Sequence, residues 1–489
     1  MSPITSDSDT NLPSFSSSSP STTSVTQKSP PTSILIIGAG VFGLSTALSL
    51  ATRPEFTSTS ITIVDRSPTP GVFPARDASS IDTSRIIRAD YADPAYAALA
   101  DEAQAAWRQQ DHPDDLGAQG RYSETGLMLV GDAVLGARHG GGEGQKTGLD
   151  YVHSSYANVR ALHPGSDKIT ALPSATAIRD AYGTGGFSGS WGYINRLSGW
   201  ANAEASMAWL YRRAVATKRI TFVNGTVTSL LRSPTDNNHI TGVQLSDGVT
   251  ISARLTVLAT GAWTPSLINL SGRAVATGQV IAYLPLTPAE QAKLANVPTL
   301  LNLSTGYFII TPSANTLKIA RHAYGYLNPV SAPNGDTLST PMTHLTHPTA
   351  PTLVPKTEQA AMRAALRQMV PWPELAERPF SSTRLCWYTD TPDGDFIIDY
   401  HPEHKGLFVA TGASGHGFKF LPCIGEKIVD CILGECPGAF KEKWSFKKGN
   451  EVKRWDQVVT EDGSRGGVPG LILGDELREE RREGISSRL

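Results

Sequence analysis

Cysteine is scarce in this sequence of 489 residues, which contains four of them and no CxxC pair. So few cysteines in so long a chain exclude a disulfide-rich scaffold, and no Cys/His spacing suggests a zinc site. An excess of basic charge is also absent, because 43 Lys and Arg face 45 Asp and Glu, for a net charge of -2. Nucleic acid as the main partner would need a concentrated basic surface, so we expect none.

Long apolar runs are missing as well, since no stretch approaches the roughly 20 apolar residues that span a bilayer. Residues 1–32 are rich in Ser, Thr and Pro but lack the apolar core of a signal peptide, and we interpret them as a disordered N-terminal tail. The last three residues, Ser487-Arg488-Leu489, are a variant of the Ser-Lys-Leu peroxisomal signal. They predict binding to the peroxisomal import receptor and a peroxisomal location, with a cytoplasmic location otherwise.

What the sequence does contain is a dinucleotide fingerprint. The apolar run Ile34–Ile37 predicts a buried strand, and Gly38-Ala39-Gly40-Val41-Phe42-Gly43 follows it and opens an apolar helical stretch. The first glycine permits a tight turn, the second lets backbone approach a pyrophosphate, and the third lets helix and strand pack closely. Asp65 ends the next predicted strand, where an acid binds the ribose. The pattern indicates a βαβ unit that binds FAD or NAD at a helix N-terminus.

Helical and strand patterns alternate along the rest of the chain. The length exceeds one ordinary core and favours two domains. Helices are predicted at 92–108, 199–217 and 357–370. Strands are predicted at 61–65, on both sides of Asp247-Gly248 with the second running into 255–261, in a pair within 305–322 that turns at 313–315, and at 407–410. The stretch from Gly136 to Gly148 predicts a surface loop.

Three downstream segments carry a family resemblance. Ala259-Thr260-Gly261-Ala262-Trp263-Thr264 is similar to the segment where FAD-binding chains return to the nucleotide. Cys386-Trp387-Tyr388-Thr389-Asp390-Thr391-Pro392-Asp393 and Gly415-His416-Gly417-Phe418-Lys419-Phe420 are longer and more specific. Together they resemble the sarcosine oxidase family of FAD-dependent amine oxidases, which includes pipecolate, saccharopine and fructosyl-amino-acid oxidases. The resemblance runs with gaps from Ser33 to Leu433.

The resemblance implies an α/β (α+β) fold, with a Rossmann-like FAD-binding domain and a discontinuous, mainly antiparallel β-sheet catalytic domain. The two domains are expected to alternate along the chain. The predicted ranges are 1–32 for the disordered tail, 33–121, 193–270 and 388–440 for the FAD-binding domain, 122–192 and 271–387 for the catalytic domain, and 441–489 for a loose C-terminal tail.

The matched motifs also imply how the cofactor is held. Cys386 corresponds to a cysteine that bonds covalently to the 8α carbon of FAD. A buried cysteine is otherwise usually inert. The implied cofactor-binding residues are Gly38, Gly40, Val41, Phe42, Gly43, Asp65, Arg66, Cys386, Gly415, His416, Gly417 and Lys419.

Substrate binding is implied for two cations and one tyrosine. Arg88 and Lys419 match residues that bind the substrate carboxylate, and Tyr388 matches a tyrosine that lines the pocket. A carboxylate taken out of water needs a paired cation, which agrees with this role. Without the resemblance, Arg85 and Arg88 would be interpreted as a solvated face of a helix or strand.

The implied catalytic residues are Lys318, Arg85, His322 and Tyr307. Lys318 matches a lysine above the flavin that helps oxygen accept electrons, since a fixed positive charge stabilises superoxide as it forms. Arg85 matches an arginine close to the flavin ring. Tyr307 and His322 match further pocket residues, although a lone tyrosine or histidine is more often a packed side chain.

The predicted activity is an FAD-dependent oxidase acting on the CH–NH group of a secondary (N-alkyl or cyclic) α-amino acid, with oxygen reduced to hydrogen peroxide and the imine hydrolysed. A fructosyl-amino-acid oxidase and a specialised biosynthetic amine oxidase stay open. Arg85–Arg88 resembles the sarcosine, pipecolate and saccharopine enzymes, whereas Phe420–Gly425 resembles the fungal fructosyl enzymes. An NAD-dependent dehydrogenase and a flavin-bearing binding protein without turnover are rival classes. We expect a small amine and O2 as partners, no metal, and a monomer.

Overall fold

The computed structural model describes residues 30–133, 146–332, 335–349, 353–447 and 454–486, with backbone alone for 480–486. Most of the predicted tail 1–32, most of the loop Gly136–Gly148 and the whole of Ser487–Leu489 lie outside the described residues.

Twenty-two strands are described. They are β1 Ser33–Ile37, β2 Ser60–Asp65, β3 Arg85–Ile87, β4 Tyr122–Ser123, β5 Leu127–Gly131, β6 Ile169–Leu172, β7 Trp191–Asn195, β8 Gly199–Ala201, β9 Ile220–Asn224, β10 Val227–Arg232 and β11 Ile240–Leu245. The chain continues with β12 Thr250–Ser252, β13 Leu255–Leu258, β14 Val275–Pro285, β15 Thr299–Asn302, β16 Tyr307–Ser313, β17 Thr316–Arg321, β18 Pro329–Ser331, β19 Thr337–Ser339, β20 Ser382–Asp390, β21 Ile397–Tyr400 and β22 Leu407–Thr411.

Ten α-helices are described between these strands. They are α1 Val41–Thr52, α2 Pro94–Arg108, α3 Gly148–Leu162, α4 Ala175–Tyr182, α5 Ala203–Ala216, α6 Pro288–Leu294, α7 Lys356–Met369, α8 Pro373–Ala376, α9 Ile424–Leu433 and α10 Leu473–Ser486. Short 3-10 helices occupy Pro54–Phe56, Gly261–Ser266, Phe418–Phe420 and Trp455–Gln457. None of the helices in the described part of the chain is both long and apolar enough to cross a membrane.

The first of the two large sheets has six strands in the order β21-β22-β13-β1-β2-β9. Five of its strands run parallel, and only β21 is antiparallel to its neighbour. The apolar run of β1 is buried on both faces, as expected of a central strand between helices. Helices α1, α5 and α9 pack together beside it. This sheet is the Rossmann-like part of the fold.

An eight-stranded sheet, ordered β20-β14-β17-β16-β15-β5-β7-β6, forms the second system. Its pairs are antiparallel except for β15 and β5. The expected mixed α/β class with a parallel and a mainly antiparallel sheet is therefore confirmed. The strands of the first sheet come from the ranges predicted for the FAD-binding domain, while β7 and β20 cross the predicted boundaries at 192/193 and 387/388.

Two local expectations differ from the structure. The helix predicted at 199–217 begins later, because 199–201 form β8 and Asn202 then caps α5 by accepting a hydrogen bond from Ala205 N at 3.0 Å. The hairpin at Asp247-Gly248 is present between β11 and β12, but β12 does not continue into β13, which lies in another sheet. The helices predicted at 92–108 and 357–370 are present as α2 and α7, and the strand pair of 305–322 as β16 and β17.

The C-terminal region is not the loose tail that its many charged residues predicted. Within 441–447 the indole of Trp444 is fully buried, and within 454–486 the side chains of Arg465 and Leu473 are buried. Isolated bridges join Gly466 to Ala323 and Ile472 to Leu327. A few apolar anchors and one buried arginine therefore fix a segment whose average composition is polar.

Candidate active site

The glycine turn after β1 opens onto a long cavity. Gly38 has φ +96°, and a Cβ there would lie 2.5 Å from the carbonyl oxygen of Ala259. A Cβ on Gly43 would lie 1.8 Å from the carbonyl oxygen of Gly38. A Cβ on Gly40 would meet nothing closer than Ser80 Oγ at 4.0 Å. Gly38 and Gly43 are thus required by close packing, whereas Gly40 leaves its backbone open to the cavity.

The N-terminus of α1 provides one end of this cavity. Gly40 is its N-cap residue, and no described side chain caps the first turn. The first-turn N–H groups therefore keep their donors for a ligand, and the helix dipole adds positive potential. Val41 and Phe42 line the cavity beside them. This end fits a pyrophosphate.

Asp65 and Arg66 also line the cavity, but both already have protein partners. Asp65 Oδ2 accepts a hydrogen bond from Ala39 N at 2.8 Å, and Oδ1 accepts from Ala75 N at 3.0 Å. Burial raises the pKa of Asp65, although these hydrogen bonds oppose the rise. Arg66 pairs with Asp77 at 2.6 Å and lies 3.8 Å over the ring of Trp263. Asp65 braces the turn, and its contact with a ribose stays a prediction.

The cavity is long enough to connect the two sheets. It contains about 1360 Å³ of open space, its mouth included, and extends to Tyr388, Gly415, Gly417 and Phe418. It begins where β1, β13 and β22 end, which is where open parallel sheets bind ligands. Its far end is reached by β20 of the eight-stranded sheet. A phosphate end and a distant end beside β20 fit a dinucleotide such as FAD.

Cys386 adjoins that distant end: it precedes the cavity-lining Trp387, its own side chain lines the neighbouring space, and it is a free thiol with 2% exposure. Arg85 Nη2 donates a hydrogen bond to its Sγ at 3.4 Å. The same guanidinium also bonds to Asp82 and to the carbonyl oxygen of Ser79. Arg85 thus ties the loop before β3 to the thiol of β20.

Asp82, a residue that sequence reasoning missed, stands at the centre of the neighbouring cations. Its fully buried carboxylate accepts hydrogen bonds from Lys318 Nζ at 2.6 Å, from Tyr283 OH at 2.6 Å and from Arg85. Burial alone would raise the pKa of Asp82, but Lys318 and Arg85 outweigh burial and hold that pKa well below its ordinary value. Burial lowers the pKa of Lys318 to about 8, and Asp82 limits the fall.

A second space, here called the inner pocket, adjoins the cavity and shares Arg85, Tyr388, Gly415 and Phe418 with it. A Cβ on Gly415 would lie 2.2 Å from the ring of Tyr388, so only glycine allows this tyrosine its position. The inner pocket brings together many of the residues that the resemblance singled out. These are Arg85, Arg88, Lys318, His322, Cys386, Tyr388, Gly415, His416 and Lys419.

Arg88 and Lys419 are two buried cations of the inner pocket, with 6% and 5% exposure. Arg88 Nη1 has no hydrogen-bond partner among the described residues. Within the described part of the chain, Lys419 Nζ donates to two neutral groups, Tyr91 OH at 2.8 Å and the carbonyl oxygen of His416 at 2.9 Å. Burial, together with Arg88, lowers the pKa of Lys419 well below its ordinary value. Buried cations that lack a carboxylate partner favour an anionic ligand.

A chain of hydrogen bonds runs from Lys419 through Tyr91 and His416 to the backbone. Its Nε2 lies 2.8 Å from the carbonyl oxygen of Gly394, which can only accept, so Nε2 carries the proton. Nδ1 is then free to accept from Tyr91 OH at 2.9 Å. Burial and the nearby Lys419 lower the pKa of His416 well below its ordinary value, so the ring is neutral.

His322 is held by Arg465, which comes from the C-terminal segment. Arg465 Nη1 lies 2.9 Å from His322 Nδ1, and Nη2 pairs with Asp390 Oδ1 at 2.6 Å. Nη2 also donates to the carbonyl oxygen of Ser414 at 2.8 Å. Burial and Arg465 lower the pKa of His322 well below its ordinary value, so this imidazole is neutral as well.

Tyr307 lies away from the inner pocket, contrary to the sequence-based expectation. Along β16, successive side chains point to opposite faces of the sheet. Phe308 shares its face with Ala320 and lines the inner pocket. Tyr307 takes the other face, where its hydroxyl donates to Glu358 of α7 at 2.9 Å. Phe308, and not Tyr307, is therefore the pocket residue of this strand.

Sequence reasoning missed Asp82, Phe308 and Arg465 for different reasons. Asp82 follows the apolar Ile81 three positions before Arg85, and an acid so close to implied site cations could have been noticed. The sequence-based expectation chose Tyr307, one residue before Phe308. Because neighbouring residues of a strand point to opposite faces, this difference of one position selected the wrong side chain. Arg465 stands in a Gly-rich stretch and gives no sign of burial.

Comparison with known proteins points in one direction. The sequence pattern of the family described as FAD dependent oxidoreductase matches residues 33–431. The amino acid oxidase imqH of Aspergillus flavus is 35% identical over 456 residues, which cover 82% of this chain and 93% of that protein. The L-saccharopine oxidase of Schizosaccharomyces pombe is 32% identical over 440 residues, covering 86% and 95%.

The fold is also similar to that of a solved enzyme. The fructosamine oxidase Amadoriase II from Aspergillus fumigatus superposes with a TM-score of 0.72 at 28% identity. The match covers 90% of this chain and 95% of that one.

Proposed function

This chain belongs to the FAD dependent oxidoreductase family, as an oxidase of amino acids or amines, and on that premise we propose that its substrate is a secondary α-amino acid, N-alkyl or cyclic. The observation that carries the proposal is the pair of buried cations in the inner pocket. Among the residues that the structure describes, Arg88 Nη1 has no hydrogen-bond partner and Lys419 donates to neutral groups alone. A substrate carboxylate supplies the partner that both cations lack.

The same cations favour a substrate amine in its neutral form. A positive charge beside Arg88 and Lys419 costs free energy, so the pKa of a bound ammonium group falls. A neutral amine keeps the lone pair that assists oxidation of the adjacent C–H bond. The inner pocket thus anchors the carboxylate and promotes loss of the proton from nitrogen.

The cofactor sites divide between the two ends of the cavity. When bound, FAD accepts a hydride equivalent from the carbon next to nitrogen and passes the electrons to O2, which leaves as hydrogen peroxide. Gly40 and the first turn of α1 would hold its pyrophosphate, and Cys386 would hold its ring covalently at the 8α carbon. Lys318 offers a positive charge to oxygen as it is reduced. The released imine is hydrolysed by water to a carbonyl compound and an amine.

Fructosyl amino acids are the second candidate substrates. The observation in their favour is the similar fold of Amadoriase II, a fructosamine oxidase. They also carry a carboxylate and a secondary amine, so Arg88 and Lys419 suit them equally well. They differ from N-alkyl amino acids in the polyhydroxy chain on nitrogen.

Peroxide release from the purified holoenzyme tests the proposal. The panel contains sarcosine, N-methyl-L-alanine, N-methyl-L-phenylalanine, L-pipecolate, saccharopine and fructosyl-glycine. We expect peroxide from at least one N-alkyl or cyclic α-amino acid, and none from the matching amine without a carboxylate. Peroxide from the amine at an equal rate would remove the role of the two cations.

Arg88→Met tests the carboxylate contact directly. Loss of a hydrogen bond between charged groups should lower kcat/KM roughly 10- to 100-fold, mainly through KM. Arg160→Met serves as the control, because Arg160 bonds to backbone oxygens of Ser166 and Ile169 and lines neither space. An unchanged KM in Arg88→Met would contradict the proposal.

A further inference from the structure

One side of the inner pocket is apolar. Leu301, Phe308, Ala320 and Ile281 come from four neighbouring strands, β15, β16, β17 and β14, and form one cross-strand row. All four are at least nine-tenths buried and line the pocket. Since cross-strand neighbours on one face lie close together, the row is a continuous carbon surface.

The row has a recess in its middle. Ala320 carries only a methyl group and stands between the larger side chains of Phe308 and Ile281. Ile310 and Ile86 extend the apolar lining beyond the row. A recess between an aromatic ring and branched side chains fits a bulky apolar group of a ligand.

The charges of the inner pocket are all of one sign. None of its described lining residues is Asp or Glu, and five are Lys or Arg. Three of these five already have carboxylate partners, because Lys318 and Arg85 pair with Asp82 and Arg321 pairs with Glu358. A second positive charge on the substrate would find no carboxylate in this lining.

Most polar side chains near the row already form hydrogen bonds within the protein. Gln279 Oε1 accepts from Ala323 N at 3.0 Å, and its Nε2 donates to Thr277 Oγ1 at 3.0 Å. His416 uses both ring nitrogens, one for Gly394 and one for Tyr91. Hydroxyl groups placed on the apolar row would lose water without a replacement partner, which costs free energy.

From this arrangement we infer that the inner pocket selects secondary α-amino acids with a bulky apolar side chain, aromatic or branched. The inference rests on the proposed function, because it takes the carboxylate to be bound by Arg88 and Lys419. The side chain then lies in the recess at Ala320, in contact with Phe308 and Leu301. Polyhydroxy substituents and side chains with a second ammonium group are disfavoured.

Relative kcat/KM values of the holoenzyme test the selection. The substrates are N-methyl-L-phenylalanine, sarcosine, Nα-methyl-L-lysine and fructosyl-glycine. N-methyl-L-phenylalanine should exceed the other three at least roughly tenfold, since filling an apolar pocket discriminates by about 10- to 200-fold. A preference for sarcosine or the lysine derivative overturns the inference but leaves the proposed function intact. A preference for fructosyl-glycine overturns the inference and favours the second candidate substrates. If the holoenzyme oxidises none of the four substrates and not L-pipecolate either, both the inference and the proposed function are overturned.

Two variants test whether the apolar row determines the preference for N-methyl-L-phenylalanine over sarcosine. Phe308→Ala removes the ring and Ala320→Val fills the recess. Each should lower kcat/KM for N-methyl-L-phenylalanine at least roughly tenfold more than it lowers kcat/KM for sarcosine, which has no side chain. Ile309→Ala is the matched control, because Ile309 is equally buried in β16 but points to the opposite face. Equal losses for both substrates in Phe308→Ala would contradict the inference.

Binding without turnover gives an independent measurement. Phenylacetate and acetate share a carboxylate and cannot be oxidised, so their dissociation constants report the pocket alone. Titration calorimetry of the holoenzyme should find phenylacetate bound at least roughly tenfold more tightly, and Phe308→Ala should reduce this ratio. Equal affinities of the two carboxylates, or a ratio unchanged by Phe308→Ala, would exclude the apolar subsite.

Discussion

At the scale of single residues, the charge state of Lys318 depends on one carboxylate. Burial of the ammonium group favours the neutral amine, and Asp82 at 2.6 Å favours the charged form. The two effects bring the pKa of Lys318 from its ordinary value of 10.5 to about 8. The group thus titrates close to physiological pH, where small changes in its surroundings alter its charge.

We predict that reoxidation by O2 depends on this titration. Lys318 is charged below pH 8 and neutral above it, so the rate of reoxidation after substrate reduction should fall as pH rises through about 8. Lys318→Met should be slow at every pH and should leave the reductive step nearly unchanged. Stopped-flow mixing of the reduced enzyme with O2 measures both.

Asp82→Asn sharpens the same prediction. Asp82 raises the pKa of Lys318, so its neutralisation should move the midpoint of the pH profile to lower pH. Tyr283→Phe keeps the carboxylate and removes one hydrogen bond to it, so its midpoint should stay closer to that of the native enzyme. A profile without a midpoint, or one that moves upward in Asp82→Asn, would contradict the role of Lys318.

At the scale of elements, the C-terminal segment 454–486 packs behind the site, where Arg465 contacts the pocket residue His322. Arg465 has 1% side-chain exposure and joins Asp390 of β20 to His322 beyond β17. Asp390 also accepts from Thr277 Oγ1 of β14 at 2.5 Å. Burial raises the pKa of Asp390, and Arg465 opposes this rise. The segment therefore contributes a charge on which a buried carboxylate depends.

Arg465→Met should destabilise the protein markedly. Removal of one partner from a buried ion pair leaves the other charge unpaired and costs about 3–5 kcal/mol. The double variant Arg465→Met/Asp390→Asn should recover much of the loss, because no unpaired charge remains. Urea unfolding of holoenzyme gives the free energies.

Arg454→Met is the matched control, since Arg454 lies in the same segment and pairs with Asp456 at the surface. Its unfolding free energy should stay near that of the native protein. If the double variant is no more stable than Arg465→Met alone, the ion pair is not the cause of the loss.

Elements with a local signature could be predicted from the sequence. The glycine turn follows from its spacing, α2 from its Ala-rich composition and the end of α7 from Pro371, and the structure contains all three. The face of β16 could not be predicted, because the choice between Tyr307 and Phe308 depends on pairing with β17. Arg465 could not be predicted either, since its partners lie 75 and 143 positions earlier in the chain.

At the scale of the whole molecule, the long cavity joins the two sheets. Ile37, Ala259 and Ala410 line it from the six-stranded sheet, and Trp387 and Thr389 line it from the eight-stranded sheet. A ligand that fills the cavity touches both, so its binding free energy adds to the stability of the whole fold.

Cys386→Ser tests both the covalent bond to the flavin and the contribution of bound FAD to the stability of the fold. After acid precipitation, flavin should remain with the native protein and pass into the supernatant from the variant. The variant should also melt at a lower temperature, and added FAD should restore stability, by about 2.7 kcal/mol at 100 times Kd.

Cys423→Ser is the control for the covalent bond. Cys423 is buried before α9, where it contacts the carbonyl oxygen of Phe420, and unlike Cys386 it lines neither the cavity nor the inner pocket. After acid precipitation, the flavin of the Cys423→Ser variant should stay with the precipitated protein. Flavin retained by precipitated Cys386→Ser would show that another residue forms the bond.

The alternation of the chain between the sheets sets an order of completion during translation. β1 is synthesised early but lies between β2 and β13, so it waits for more than 200 further residues before its second neighbour emerges. The cofactor cavity is complete once Phe418 has been made, whereas Arg465 follows later. A growing chain can thus assemble its dinucleotide site before it closes the wall beside His322.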